Sequence, residues 1–133
     1  MSSVTSALSD VAASLSPDEL TKKVEEIKAA GNERFLKGDY TQAKALYTDA
    51  LSLNPNIVAI YSNRAICELK LEQYGLAIAD ATKAIELDAT FAKAYYRRAC
   101  AHLAILVPKA ALPDLKMVVK LDPRNAQVKM QLD

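Results

Sequence analysis

Apolar and small residues recur along this chain with a period of 34 residues. Three consecutive blocks align without a gap: VEEIKAAGNERFLKGDYTQAKALYTDALSLNPNI from Val24, VAIYSNRAICELKLEQYGLAIADATKAIELDATF from Val58, and AKAYYRRACAHLAILVPKAALPDLKMVVKLDPRN from Ala92. Block position 8 is Gly31, Ala65 and Ala99, position 20 is Ala43, Ala77 and Ala111, and position 27 is Ala50, Ala84 and Val118. Small residues at such positions let two helix backbones approach closely. Position 30 is leucine in every block (Leu53, Leu87, Leu121), and position 32 is Pro55, Ala89 and Pro123, where proline would end a helix. Each block therefore predicts two closely packed helices, the second ended near position 32. At about 100° of rotation per residue, positions 4, 7, 8 and 11 of the first helix share one face, and positions 2, 5, 6, 9 and 13 share the nearly opposite one. Ile27, Tyr61 and Tyr95, at position 4, belong to the packed face.

The start of the array is marked by Ser16 as a cap, Pro17 in the first turn and Glu19 as the reciprocal partner of a capping box. The first helix should run from about Pro17 to Lys37. Residues 1–15, rich in Ser, Ala and Thr, read as a flexible leader. Residues 16–133 then form the domain, with repeats at 24–57, 58–91 and 92–125, and 126–133 as the start of a capping helix. Repeat arrays need such a helix over their last apolar face, so a chain stopping at Asp133 is expected to be a cut from something longer. Pro108 and Pro113 depart from the pattern. With a helix beginning near Lys109, Pro113 falls close to its first turn, which predicts a shortened or slightly kinked helix.

Composition agrees with an all-α fold: glycine is scarce, at three residues, while Ala, Leu, Lys and Glu dominate. Seventeen basic residues against sixteen acidic ones leave a net charge of +1, too small a field for a nucleic-acid backbone. No run approaches the roughly 18 apolar residues of a membrane span, and the first fifteen residues lack the basic start and apolar centre of a signal peptide. A cytoplasmic location, extending to the nucleus, is expected. Cys67 and Cys100 are too few for a disulfide framework or zinc motif and read as free, buried thiols. His102 is the single histidine, expected on an exposed helix surface. Without a clustered metal set, a glycine-rich phosphate loop or a Ser/His/Asp set, neither catalysis nor a cofactor is implied.

Charge is nonetheless segregated. The second face of the three first helices carries Glu25, Lys28, Ala29, Asn32 and Leu36; Ala59, Ser62, Asn63, Ile66 and Lys70; and Lys93, Tyr96, Arg97, Cys100 and Ala104. Four cations stand there against one carboxylate, on the face that lines the concave side of a stacked array. Asparagine is a poor helix former, so Asn32 and Asn63 in helix interiors suggest amides kept for a ligand. Arg64 and Arg98 at position 7, with Asp80 and Asp114 at position 23, read instead as structural ion pairs between the helices of one repeat.

Period and positions resemble the tetratricopeptide repeat, a helix-turn-helix unit. The resemblance implies three tandem repeats wound into a right-handed superhelix. The groove residues are similar to those of the carboxylate-clamp members of that family, which grip the C-terminal EEVD sequence of heat-shock protein 90 and heat-shock protein 70. That clamp is Lys and Asn four apart in the first helix, Asn and a basic residue seven apart in the third, and Lys and Arg four apart in the fifth. Here these are Lys28 and Asn32, Asn63 and Lys70, and Lys93 and Arg97. Leu36, Ile66 and Cys100 would support the peptide as apolar ground. The runs YGLAIADATKAIELD, FAKAYYRRA and VVKLDP most resemble the amino-terminal domains of the serine/threonine-protein phosphatase 5 family. That resemblance implies a second partner, the chain's own catalytic domain in a longer protein, covered until a ligand draws the module away. The alternative is a structural module whose groove meets acidic side chains of a downstream domain or a second copy.

Overall fold

The computed structural model describes residues 13–124. They hold six consecutive α-helices: α1 (Pro17–Leu36), α2 (Tyr40–Leu53), α3 (Val58–Lys70), α4 (Tyr74–Leu87), α5 (Ala92–Ala104) and α6 (Pro108–Leu121). The expected capping helix at 126–133 and most of the expected leader lie outside the described residues. Each helix packs on the next in sequence, and α3 also packs on α5, so successive hairpins stack.

Local chemistry explains where the helices start. Ser16 Oγ accepts from the Glu19 N–H at 3.2 Å, and Glu19 Oε1 accepts from the Ser16 N–H at 3.4 Å, the reciprocal capping box expected. Pro17 occupies the first turn, where a missing N–H costs nothing. α1 ends one residue earlier than expected, with Lys37 as its cap.

The first helix of every repeat closes in the same way. At block position 15 the backbone turns left-handed, with φ of 78° at Gly38, 61° at Glu72 and 62° at Leu106. The N–H groups of Gly38, Glu72 and Leu106 donate to the carbonyls of Phe35, Leu69 and Leu103, and the following N–H groups reach Arg34, Glu68 and His102 at 2.9, 2.7 and 2.8 Å. These paired bonds satisfy the last carbonyls of α1, α3 and α5. Only the first repeat has the glycine this geometry favours.

The second helices all end at position 30, on Leu53, Leu87 and Leu121, although position 32 is proline in two repeats and Ala89 in the other. Asn54 and Asp88, just past two of these ends, accept from the N–H groups of Asn56 and Thr90 in side-chain turns. Tyr61 and Tyr95 donate to the position-32 carbonyls of Pro55 and Ala89, each at 2.8 Å, pinning each new repeat to the end of the last. Of the shortened or slightly kinked helix expected in repeat three, the shortening is not found: α6 starts at Pro108 and has 14 residues, as α2 and α4 do. Pro108 sits where no N–H is needed, and Pro113 forfeits one bond on an exposed face.

Ala43, Ala50, Ala65, Ala77, Ala84, Ala99 and Ala111 are completely buried, as the small-residue positions require. Arg64 binds Asp80 with two bonds of 2.7 Å, and Arg98 binds Asp114 with two of 2.8 Å. Each arginine also reaches back into the preceding repeat, to Thr48 at 3.3 Å and Thr82 at 3.2 Å. The pairs therefore tie hairpins together as well as the two helices within each. Two sequence expectations fail here. His102 is partly buried rather than exposed, with Nδ1 enclosed, because position 11 faces the packed side of the helix. Of the two free thiols, Cys67 is buried but Cys100 only half so.

Candidate peptide groove

Asn32 on α1 and Asn63 on α3 meet across the groove, with Asn63 Nδ2 donating to Asn32 Oδ1 at 3.4 Å. The same Oδ1 accepts from the phenol of Tyr47, which reaches it from α2 at 2.5 Å. Tyr47 can lie this close because Gly31 has no side chain: a Cβ there would stand 2.7 Å from Tyr47 Cε1. Burial pushes the Tyr47 phenol up to about 12, so it keeps its proton and remains a donor. Asn32, Phe35, Leu36, Tyr47, Asn63 and Ile66 line an open pocket of about 190 Å³. Its floor is largely apolar and its rim is amide.

A second concavity of about 250 Å³ includes Lys93, Tyr96, Arg97, Val118 and Asp122. The Arg97 guanidinium lies 5.5 Å from the centroid of the Tyr96 ring. Its Nε is enclosed with no hydrogen-bond partner among the described residues. Burial lowers the Arg97 pKa, and the thiol of Cys100 and phenol of Tyr96 oppose this only as weak acids. Arg64 and Arg98, by contrast, are each clamped by an aspartate. Arg97 is a half-buried cation that forms no ion pair among the described residues, although Asp122 borders the same concavity.

Lys28 is held 3.7 Å from Glu25, so the one carboxylate on this face of the first helices is spent on its neighbour in the same helix, while Asp122 borders the second concavity. Lys70 and Lys93 are exposed and form no ion pair among the described residues. Asn32 and Asn63 thus share one pocket with Leu36 and Ile66, while Lys93 and Arg97 share the other; Lys28 and Lys70 line neither. Ser62, placed on the groove face by its position, is instead buried at 1 % exposure, because the facing helices close over position 5 of α3.

Tyr47 and Phe35 lie outside the face that helical periodicity assigns to the groove, whereas Tyr96 lies on it. A signal for Tyr47 did exist. Position 24 is Tyr47, Ala81 and Leu115, and its largest member coincides with the one glycine at position 8.

The tetratricopeptide repeat family matches residues 29–57 and 58–91. Human serine/threonine-protein phosphatase 5 is 42% identical over 114 residues, covering 86% of this chain and 23% of that protein. Among solved structures, the TPR2B domain of yeast Sti1 in complex with an Hsp70 peptide superposes with a TM-score of 0.79 at 33% identity, over 84% of this chain and 94% of that one. The first TPR of Spaghetti (RPAP3), bound to the HSP90 peptide SRMEEVD, gives 0.81 at 30% identity, over 84% and 88%. The chain belongs to the tetratricopeptide repeat family. This is a protein-interaction fold, and the chain spans less than a quarter of the length of the phosphatase it matches. The third helix pair lies beyond the residues matched by the family, yet it repeats the turn, the tyrosine anchor and the arginine pair of the second.

Proposed function

We propose that the groove captures the free carboxyl terminus of an acidic chaperone peptide, the EEVD end of heat-shock protein 90 or heat-shock protein 70. The observation that carries this reading is Arg97, a half-buried guanidinium with no ion pair among the described residues, which shares a concavity with the likewise unpaired Lys93, while the two asparagine amides border a separate pocket of the same face. Desolvating a cation without a partner is costly unless a ligand supplies the anion. The terminal carboxylate and last aspartate of the peptide offer four oxygens, which Lys28, Asn32, Asn63 and Lys93 share. Arg97 and Lys70 take acidic side chains or carbonyls further along. Leu36, Ile66 and Cys100 give apolar ground to the peptide's valine or methionine. Two structurally similar domains hold such peptides, which supports the assignment.

Charge-assisted bonds of about 1.5–3 kcal/mol each, offset by the ordering of a flexible tail, put the affinity near micromolar, roughly −8 kcal/mol. By resemblance to phosphatase 5, the module targets a serine/threonine phosphatase domain and covers its active site until the peptide binds, in the cytoplasm and nucleus. The test is titration with MEEVD as free acid and as C-terminal amide at two salt concentrations. Salt-sensitive binding of the acid that collapses for the amide is expected. Equal affinity for the two forms, or none, would refute capture of a carboxylate and favour docking of the groove on another domain.

A further inference from the structure

We infer that Tyr47, which lies outside the clamp, fixes the polarity of the clamp's central amide, so that Asn32 offers the groove hydrogen-bond donors only. The inference rests on the peptide-capture reading and adds to it the residue that makes the site selective for an acceptor-only chain end. An asparagine amide has one oxygen with two lone pairs and one NH2 with two hydrogens, and it can present either end to a ligand. At Asn32 the choice is closed. The Tyr47 phenol and the Asn63 amide both donate to Oδ1, one from α2 and one from α3, and together they fill its two lone pairs. The Asn32 NH2 is left for the groove.

A carboxylate can only accept, so it meets this NH2 without conflict. An ammonium brings only donors, for which Asn32 has no acceptor left; a carboxamide can offer its one oxygen to this NH2, but its own NH2 goes unmatched where a carboxylate presents a second acceptor. Tyr47 is 1 % exposed, so this constraint comes from behind the groove wall. Its placement depends on Gly31, one residue before Asn32, whose missing Cβ lets the ring cross α1. Phe at position 47 would keep that packing and remove only the hydroxyl.

The decisive experiment compares the wild type, Tyr47→Phe, Asn32→Ala and the double variant against MEEVD acid and amide. Thermal melting serves as a folding control. The single hydroxyl loss is expected to weaken acid binding by roughly 3- to 10-fold, the range of one neutral hydrogen bond, and to narrow the preference for acid over amide. In the Asn32→Ala background the same change should have no further effect. An equal loss in both backgrounds would overturn the inference, since Tyr47 would then act by packing; so would an unchanged affinity. A second measurement needs no ligand. In the free protein the Asn32 side-chain NH2 should exchange hydrogen with water as an exposed amide does, and a protected NH2 would show the opposite orientation. If the wild type fails to bind the acid peptide, the capture reading falls, and the exchange measurement still decides the orientation of Asn32.

Discussion

Replacing Leu106 with glycine should stabilise this protein although it deletes a large apolar side chain. Leu106 holds φ at 62° in the turn between α5 and α6, and its side chain is 86% exposed. Little buried area is therefore lost. A left-handed conformation costs a residue with a Cβ roughly 1–2 kcal/mol, and glycine escapes that cost. Against this, glycine's extra freedom in the unfolded chain costs about 0.5–1 kcal/mol. The net gain is about 0.5–1 kcal/mol, or roughly 2–4 °C in Tm for a domain of this size. Glu72→Gly, with φ of 61° in the preceding repeat, should behave alike, and the two gains should add because they lie in separate turns. Gly38→Ala, at φ of 78° and with nothing within 4 Å of an added Cβ, is the reverse experiment and should destabilise by about 1 kcal/mol. Thermal melts followed at 222 nm, with urea titrations confirming an unchanged m-value, measure all three. A Leu106→Gly protein melting at or below wild type, or an indifferent Gly38→Ala, would refute the argument that these turns are strained by their side chains.

Arg97→Ala should abolish binding of an acidic peptide while leaving Tm unchanged or raised, because the removed charge is half-buried and forms no ion pair among the described residues; paired calorimetry and melting test this, and a large drop in Tm would count against it. Arg64→Ala should do the opposite, costing about 3 kcal/mol by leaving Asp80 buried alone, with Arg64→Leu/Asp80→Leu recovering much of that in urea denaturation. Glu68, 2 % exposed, has its carboxyl pushed up to about 8 by burial and by the neighbouring Asp80, with Lys44 and Arg64 pulling the other way. The folded protein thus keeps a proton that the unfolded chain releases near 4.5, so stability should fall as pH rises from about 4.5 to about 8. Glu68→Gln, which mimics the protonated acid, should flatten that slope and exceed wild type at pH 8 by at least about 1 kcal/mol; parallel stability curves for the two proteins would exclude the titration of Glu68 as its cause.

Much of this molecule follows from sequence because its repeat is short and its signals are local. A capping box needs only Ser16, Pro17 and Glu19, and the small positions 8, 20 and 27 show themselves by recurring. The Arg64–Asp80 and Arg98–Asp114 pairs were legible because their spacing is the same in two repeats. What depended on a second helix was not legible. The burial of Ser62 depends on which side chains lie opposite, and helical periodicity says nothing about those; the enclosure of His102, at position 11 of the packed face, was within reach of that periodicity. Leu106 takes the left-handed turn because the chain must reverse there, whatever residue it carries. α6 keeps its full length with Pro113 inside it, where a shortened or slightly kinked helix was expected, and it packs along α5. Tyr47 marks the boundary between the two kinds of knowledge. Sequence placed six polar residues on one face, but the orientation of Asn32 was decided by a phenol from another helix, through a contact that exists only when α2 lies across Gly31.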